Sequence, residues 1–286
     1  MATPGTVALE GSGVRNGVEL GIILALIGLI FAGLGFLIAG RQTIHWGVVA
    51  GLAFTSVFFF RGPLAVLRRY RTRPLADETR PVLVECVERL SSRAGLTEVP
   101  DLRITDRDDC DAFSVSTSWK VIIVLGIELI AHLEPRHLEA VIAHEVSHIK
   151  NRDTMVMGVA DLFVRMTRTM SHLGLLLLVV NGALTQLFDG GISWGFVAAL
   201  ICTPMLAKGL LMALGRAREL RADRDAVKLT GDASALAEAL VLFEKHAQPK
   251  RGMLRSMNPY GIAPAPSDIR NHPPTEMRVE LLRAMA

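Results

Sequence analysis

His144-Glu145-Val146-Ser147-His148 is the stretch from which the rest of this sequence can be read. On a helix the two histidines stand one turn apart and project from the same face, with Glu145 beside them. Two imidazoles so placed can hold one zinc ion, and the adjacent carboxylate can take a proton from water that the ion activates. The surrounding residues support a helix. Pro135 suits the first helical position, and Leu138, Val141, Ile142, Val146 and Ile149 recur as a core-facing stripe. The spacing thus predicts a helix buried along one side, with its ligands on the adjacent side.

A third ligand is expected from Arg216-Ala217-Arg218-Glu219-Leu220-Arg221-Ala222-Asp223-Arg224-Asp225-Ala226. On a helix Glu219, Ala222, Asp223 and Ala226 share one face, and the alanines allow close approach to the helix of the two histidines. Glu219 would then complete a His-His-Glu set with one position open. Asp223, one turn on, is placed to accept a hydrogen bond from the outer ring nitrogen of His144, which fixes its tautomer and raises its basicity. Read without His144 and His148, the same segment is an ordinary solvated, charged helix face.

Composition sets the surroundings. Half of the 286 residues are hydrophobic and the mean hydropathy is positive, which points to membrane spans. A formal net charge of +3 gives no electrostatic support for binding nucleic acid. Cys86, Cys110 and Cys202 are far apart and are expected to be packing thiols. No cleavable signal peptide is expected: the first apolar run is long, and basic residues are scarce before it.

Two uncharged runs, residues 20–39 and 42–60, are separated by Arg41 and predict a helical hairpin across a bilayer. Residues 1–19 are Gly-rich and expected to be a loose tail. Arg61, Arg68, Arg69, Arg71, Arg73 and Arg80 crowd the segment after the second run, which places both ends of the hairpin in the cytoplasm. Residues 169–188 and 190–207 form a second uncharged pair around Asp189, again with basic flanks. His172, Asn181, Gln186 and Pro204 dilute this pair, so full crossing and packing on the protein both fit it.

Between the hairpins, residues 80–94 read as an amphipathic helix stopped by Gly95. Strand candidates lie at 102–105, 112–116 and 120–125, and a short helix begins at Ile127. The expected architecture is α+β and mainly helical: a metal-binding domain with a small sheet, plus two transmembrane hairpins. Its parts are a tail (1–19), the first hairpin (20–61), a first catalytic part (62–168), the second hairpin (169–207) and a second catalytic part (208–286).

These motifs together resemble the membrane-bound zinc metallopeptidases of the M48 family, in particular its HtpX-like heat-shock proteases. The resemblance covers nearly the whole chain, from the first hairpin through HExxH to Asn271-His272-Pro273-Pro274 near the C-terminus. Asn151 and Asp153 match the family's polar residue and Asp after HExxH. Arg216, Glu219, Ala222 and Asp223 match its third-ligand motif. Gly215 stands where Ser is usual, Leu220 where Tyr is usual, and Asp111 in Asp111-Ala112-Phe113 where Asn is usual. None of the three is a metal ligand.

The resemblance implies a gluzincin-type site: one zinc ion on His144, His148 and Glu219, with Glu145 as general base. It also implies that His272 is a donor to the oxyanion of the transition state, although a loop histidine beside a proline turn fits the same letters. Arg278 is expected as an ion-pair partner of the site. Substrate is expected to lie as an extended strand along Ala112, Phe113, Ser114, Val115 and Ser116. Residues 248–266 fit either a flap over the cleft or a plain connector. The implied substrates are misfolded membrane proteins and their cytosolic loops, cut at the cytoplasmic face of the cell membrane. Rival readings are the prenyl-peptide protease branch of the family, which has more spans, and an inert membrane scaffold, against which the intact Glu145 speaks.

Overall fold

Four long helices carry just under half of the chain, and a small domain that holds the candidate metal ligands is built onto them. The computed structural model describes residues 10–75, 80–106, 112–117, 119–187, 193–246 and 273–286. Helix α1 (Glu10–Ala39) and helix α2 (Ile44–Arg69) are joined by the 3-10 turn Gly40–Thr43. Gly47 lets them approach closely, because a Cβ there would lie 2.1 Å from the carbonyl oxygen of Phe31. After strand β1 (Arg73–Pro74) come α3 (Arg80–Ala94), β2 (Asp101–Thr105), β3 (Ala112–Ser116), β4 (Val121–Gly126), α4 (Ile127–His132) and α5 (Pro135–Lys150). The second pair of long helices is α6 (Asp153–Leu187) and α7 (Trp194–Thr230), followed by α8 (Ala233–His246) and α9 (Thr275–Arg283). The expected class holds: mainly helical, with a small mixed sheet.

The sheet runs β1-β2-β4-β3, with β2 and β4 parallel and the outer pairs antiparallel. Both faces of β4 are buried, which is why its sequence reads as an unbroken apolar run. Ile123 and Leu125 enter the main core with Leu90 of α3, Val141 and Ile142 of α5, Leu240 of α8 and Leu282 of α9. Ile122 and Val124 turn the other way, onto Leu67 and Tyr70 at the end of α2. Strand β3 follows the same alternation: Ala112 joins the main core, and Phe113 packs on Tyr70 with ring centroids 4.9 Å apart. Ser114 therefore faces α5.

Local punctuation sets several boundaries. Pro135 opens α5 as its first residue, and Gly95 ends α3 with a φ of 73°. The stripe Leu138, Val141, Ile142 and Val146 is buried as expected, with Ile149 partly buried against it.

Three sequence expectations change. Residues 10–19, expected in a loose tail, are the first turns of α1, and Asn16 is buried there. The boundaries expected at 168/169 and 207/208 fall inside α6 and α7, which run on without a break. The basic residues there mark where apolar surroundings end, and a helix passes through that point because its hydrogen bonds are internal. Pro204 is accommodated within α7 in the same way.

Segments Arg15–Gly33, Asp153–Gly182 and Trp194–Thr230 are long and apolar enough to cross a membrane, and the apolar part described in α2 is shorter, Ile44–Val57. The helices pack on one another through Ile23 and Ile27 of α1, Val156, Val159 and Phe163 of α6, and Leu211 of α7. Asp189 and residues 247–272 lie outside the described residues, so His272 and the 248–266 segment do too.

Candidate metal centre

α5 and α7 bring the first two stretches together across the 70 residues of chain between His148 and Glu219. Ala222 and Ala226 are fully or almost fully buried where α7 meets the core, so small side chains permit the approach as the spacing implied. His144, His148 and Glu219 each offer a ligand atom, and these atoms lie within 4.8 Å of one another. The Nε2 atoms of His144 and His148 are 3.1 Å apart. The Glu219 carboxylate stands 3.6 Å from Nε2 of His144 and 3.4 Å from Nε2 of His148.

Outer contacts decide what those nitrogens can do. Nδ1 of His144 is 2.9 Å from Asp223, and Nδ1 of His148 is 3.1 Å from Asp153. A carboxylate at Nδ1 holds the ring proton there, leaving both Nε2 lone pairs to face each other. Two lone pairs and a carboxylate oxygen converging in a buried space repel unless a proton or a metal cation sits among them. Ligands about 2.0–2.1 Å from a tetrahedral ion stand roughly 3.3 Å from each other, which the observed spacings bracket. The donor set fits a metal ion.

Electrostatics point the same way. Burial works against a charged His148, but Asp153 and Glu219 outweigh it and raise its pKa well above the usual histidine value. The cluster is built to attract positive charge. Arg278 supplies a fixed part of the counter-charge: its Nε and Nη2 donate to the two oxygens of Asp223 at 2.8 and 2.6 Å, and its Nη1 lies 3.1 Å from Glu219. Burial disfavours the guanidinium charge, yet Asp223 and Glu219 more than offset that and raise its pKa. The ion-pair position expected for Arg278 is the one it occupies.

Glu145 lies beside the cluster and is 1% exposed. Burial raises its carboxyl above the ordinary range, against the pull of His148 and His144. Neither oxygen makes a well-aligned hydrogen bond among the described residues, although Ser114 lies near enough to favour the charged form. A buried carboxylate held without firm partners is free to accept a proton from whatever enters the site. Beside it runs β3, which is buried over residues 112–115 and among the described residues pairs with β4 alone.

Comparison with known proteins agrees with this geometry. Peptidase family M48 matches residues 78–286. The chain belongs to peptidase family M48. It is 31% identical to a protease HtpX homolog of Pyrococcus furiosus over 293 aligned positions, covering 96% of this chain and 97% of that one. It is 30% identical to a protease HtpX homolog of Acidiphilium cryptum, covering 95% and 97%. Among solved structures, Ste24p of S. mikatae aligns with a TM-score of 0.55 at 18% identity, over 97% of this chain and 67% of that one, a likeness of fold. This M48 member is thus an HtpX-like protease and a membrane protein, with a cluster fit for a metal ion.

Of the flanking M48 motif residues, Asn151 caps α5 and its side chain donates to Asp225 at 3.1 Å. Arg152 adopts a left-handed φ of 54°, a conformation that costs a non-glycine residue about 1–3 kcal/mol. That turn starts α6 at Asp153 and swings its carboxylate back onto His148, so this residue, a candidate outer partner by the resemblance, lies against a candidate ligand. Sequence reasoning missed Arg218, which is 1% exposed and donates to Asp153, to Asn16 at 3.3 Å and to Glu19. The available signal was a polar pair, Asn16 and Glu19, at the mouth of an otherwise apolar span.

Proposed function

We propose that this protein is a zinc-dependent endopeptidase that cleaves misfolded membrane proteins at the cytoplasmic face of the cell membrane. The observation that carries the reading is the meeting of three donor atoms beside the buried Glu145 carboxylate, next to the terminal strand β3 of the sheet. Zinc is favoured by the donors, two neutral imidazoles and one carboxylate with room for a fourth ligand. When bound, zinc supplies Lewis acidity and lowers the pKa of water toward neutrality.

The chain's own residues do the rest. Glu145 accepts the proton of the attacking water and delivers it to the leaving amine. Asp223 and Asp153 hold the two histidines in the tautomer that turns Nε2 inward. Arg278 fixes Glu219 and Asp223 in position while balancing their charge. The resemblance assigns His272 as a further donor to the transition-state oxyanion. A substrate strand adds to β3 through main-chain hydrogen bonds, a mode that tolerates many sequences and so suits unfolded chains.

The orientation rests on charge. Arg68 and Arg69 end α2, and Arg165, Arg168 and Arg216 flank the apolar parts of α6 and α7 on the side of the metal cluster. Both termini and the catalytic part then face the cytoplasm, and unfolded membrane-protein loops reach the site there.

Metal content and casein cleavage, measured on detergent-purified wild type and Glu145→Gln, test the reading. About one zinc per chain is expected in both. Cleavage is expected in the wild type and reduced about 10²–10⁴-fold in the variant. Stoichiometric metal with no cleavage in either would favour an inert scaffold. Cleavage insensitive to a chelator would place the chemistry elsewhere. A cytoplasmic signal from a reporter fused at Asp189 would overturn the orientation.

A further inference from the structure

The two metal-binding histidines are braced by arms of the same design that end in different places. From His144 the arm runs to Asp223 of α7 and on to Arg278 of α9, all within the catalytic core. From His148 it runs to Asp153 of α6 and then to Arg218 of α7. Arg218 is 1% exposed, so its charge has little water and depends on its partners. Its Nη1 donates to Asp153, and its Nη2 donates to Glu19 and to Asn16 of α1. Asn16 also donates through its amide to the backbone carbonyl of Asn151, the cap of α5. The second arm therefore ends on the first membrane helix.

Resting on the metal-site reading above, we infer that α1 is a working part of that site: Glu19, through Arg218 and Asp153, positions His148 and sets how tightly the metal is held. Asp153 divides its two oxygens between His148 and Arg218. While Glu19 shares the guanidinium, Arg218 draws on Asp153 only in part, and Asp153 remains a strong acceptor for Nδ1–H of His148. Without the Glu19 charge, Arg218 turns its whole field on Asp153. The acceptor weakens, His148 loses basicity and orientation, and metal leaves more easily. Glu19 and Arg218 are positioning residues; neither touches the metal-ligand atoms. Glu19 also explains why α1 begins well before its apolar run, since the helix must extend far enough out of the membrane to deliver this carboxylate.

The test measures zinc release to excess EDTA from the full-length protein in detergent, with the visible spectrum of the cobalt-substituted protein as a second readout. Glu19→Gln, which keeps the shape and removes the charge, is expected to release zinc about 10–100-fold faster and to shift the cobalt bands. Glu19→Asp, which withdraws the charge by one methylene, is expected to lie between Glu19→Gln and wild type. Arg15→Ala removes an exposed partner of Glu19, 3.4 Å away, and is expected to release zinc at the wild-type rate. Wild-type release and an unchanged cobalt spectrum in Glu19→Gln would overturn the inference. If Glu19→Gln does not fold, wild-type release from Glu19→Asp overturns it instead. His144→Ala holding zinc as tightly as wild type would sink the metal-site reading itself, a separate outcome.

Discussion

Leu90 and Leu206 are the same residue in two different solvents. Leu90, on α3, is completely buried among the sheet, α5 and α8, whereas Leu206, on α7, is 78% exposed beside Met205 at 76%. The contrast extends to whole regions. Around α5 the apolar residues turn inward and polar groups form a closed cluster. Along α1, α6 and α7 large apolar side chains such as Leu29, Val179 and Leu206 face outward. One chain thus folds by two rules: in the catalytic core water drives apolar groups inward, and on the long helices lipid accepts them. At the seam between the regions Asn16, Glu19, Asp153 and Arg218 meet in a polar cluster, and single buried polar groups, Thr55, Thr167 and Asn181, lie further along the long helices.

The strongest way to break the core side of this comparison is through the metal cluster. Glu219→Ala removes one of the three candidate ligands, and metal affinity is expected to fall by more than about 100-fold, since loss of an outer partner alone costs about 10–100-fold. Metal analysis after dialysis against a weak chelator reads this directly, and retention at wild-type affinity would remove Glu219 from the ligand set.

A matched pair of substitutions sharpens the contrast of solvents. Leu90→Ala opens a cavity in the core and is expected to cost about 2–5 kcal/mol. Leu206→Ala, with nothing packed around it, is expected to change stability by no more than about 0.5 kcal/mol in detergent. Equal losses in thermal or denaturant melts would mean that Leu206 is covered by protein, for instance a second copy.

The smaller effects lie at exposed caps of the core, away from lipid. Asp232 accepts a 2.8 Å hydrogen bond from the backbone N–H of Ala235 at the start of α8. That bond, with help from Ser234, holds its carboxyl below the usual range. Because the folded value is depressed, this stabilisation is present above the unfolded carboxylate pKa and fades as pH falls through the folded one. Asp232→Ala is therefore expected to cost about 1 kcal/mol at neutral pH and progressively less in acid. A cost that does not change with pH would show that the cap acts by shape rather than charge.

Much of the site was legible because its first elements are local. The one-turn spacing of His144 and His148 forces a shared face, and Glu219 and Asp223 follow the same rule on α7. The punctuating residues Pro135 and Gly95 bound their helices where expected, since each acts on its own backbone dihedral. Strand β1 escaped notice because two residues carry no periodic signal, and its pairing with Ile104 and Arg103 is a tertiary event. The helical start of residues 10–19 was hidden by glycines that argue for a tail; docking of Asn16 and Glu19 against Arg218 overrides that preference.

Sequence alone determined the candidate donors and the surroundings: a HExxH helix, a carboxylate as third donor with its outer partner, and apolar runs of membrane length. These are periodic or compositional features, written within a few turns of chain. Tertiary structure decided what was joined to what. It made α6 and α7 unbroken rods that pass from the apolar region into the site, and it closed the brace of His148 on a carboxylate 199 residues away from Arg218. Asn16 and Glu19 mark one end of that contact in the sequence, but nothing local names Arg218 as their partner, because the energy that selects it is the desolvation of a buried guanidinium, which exists only after the helices have packed.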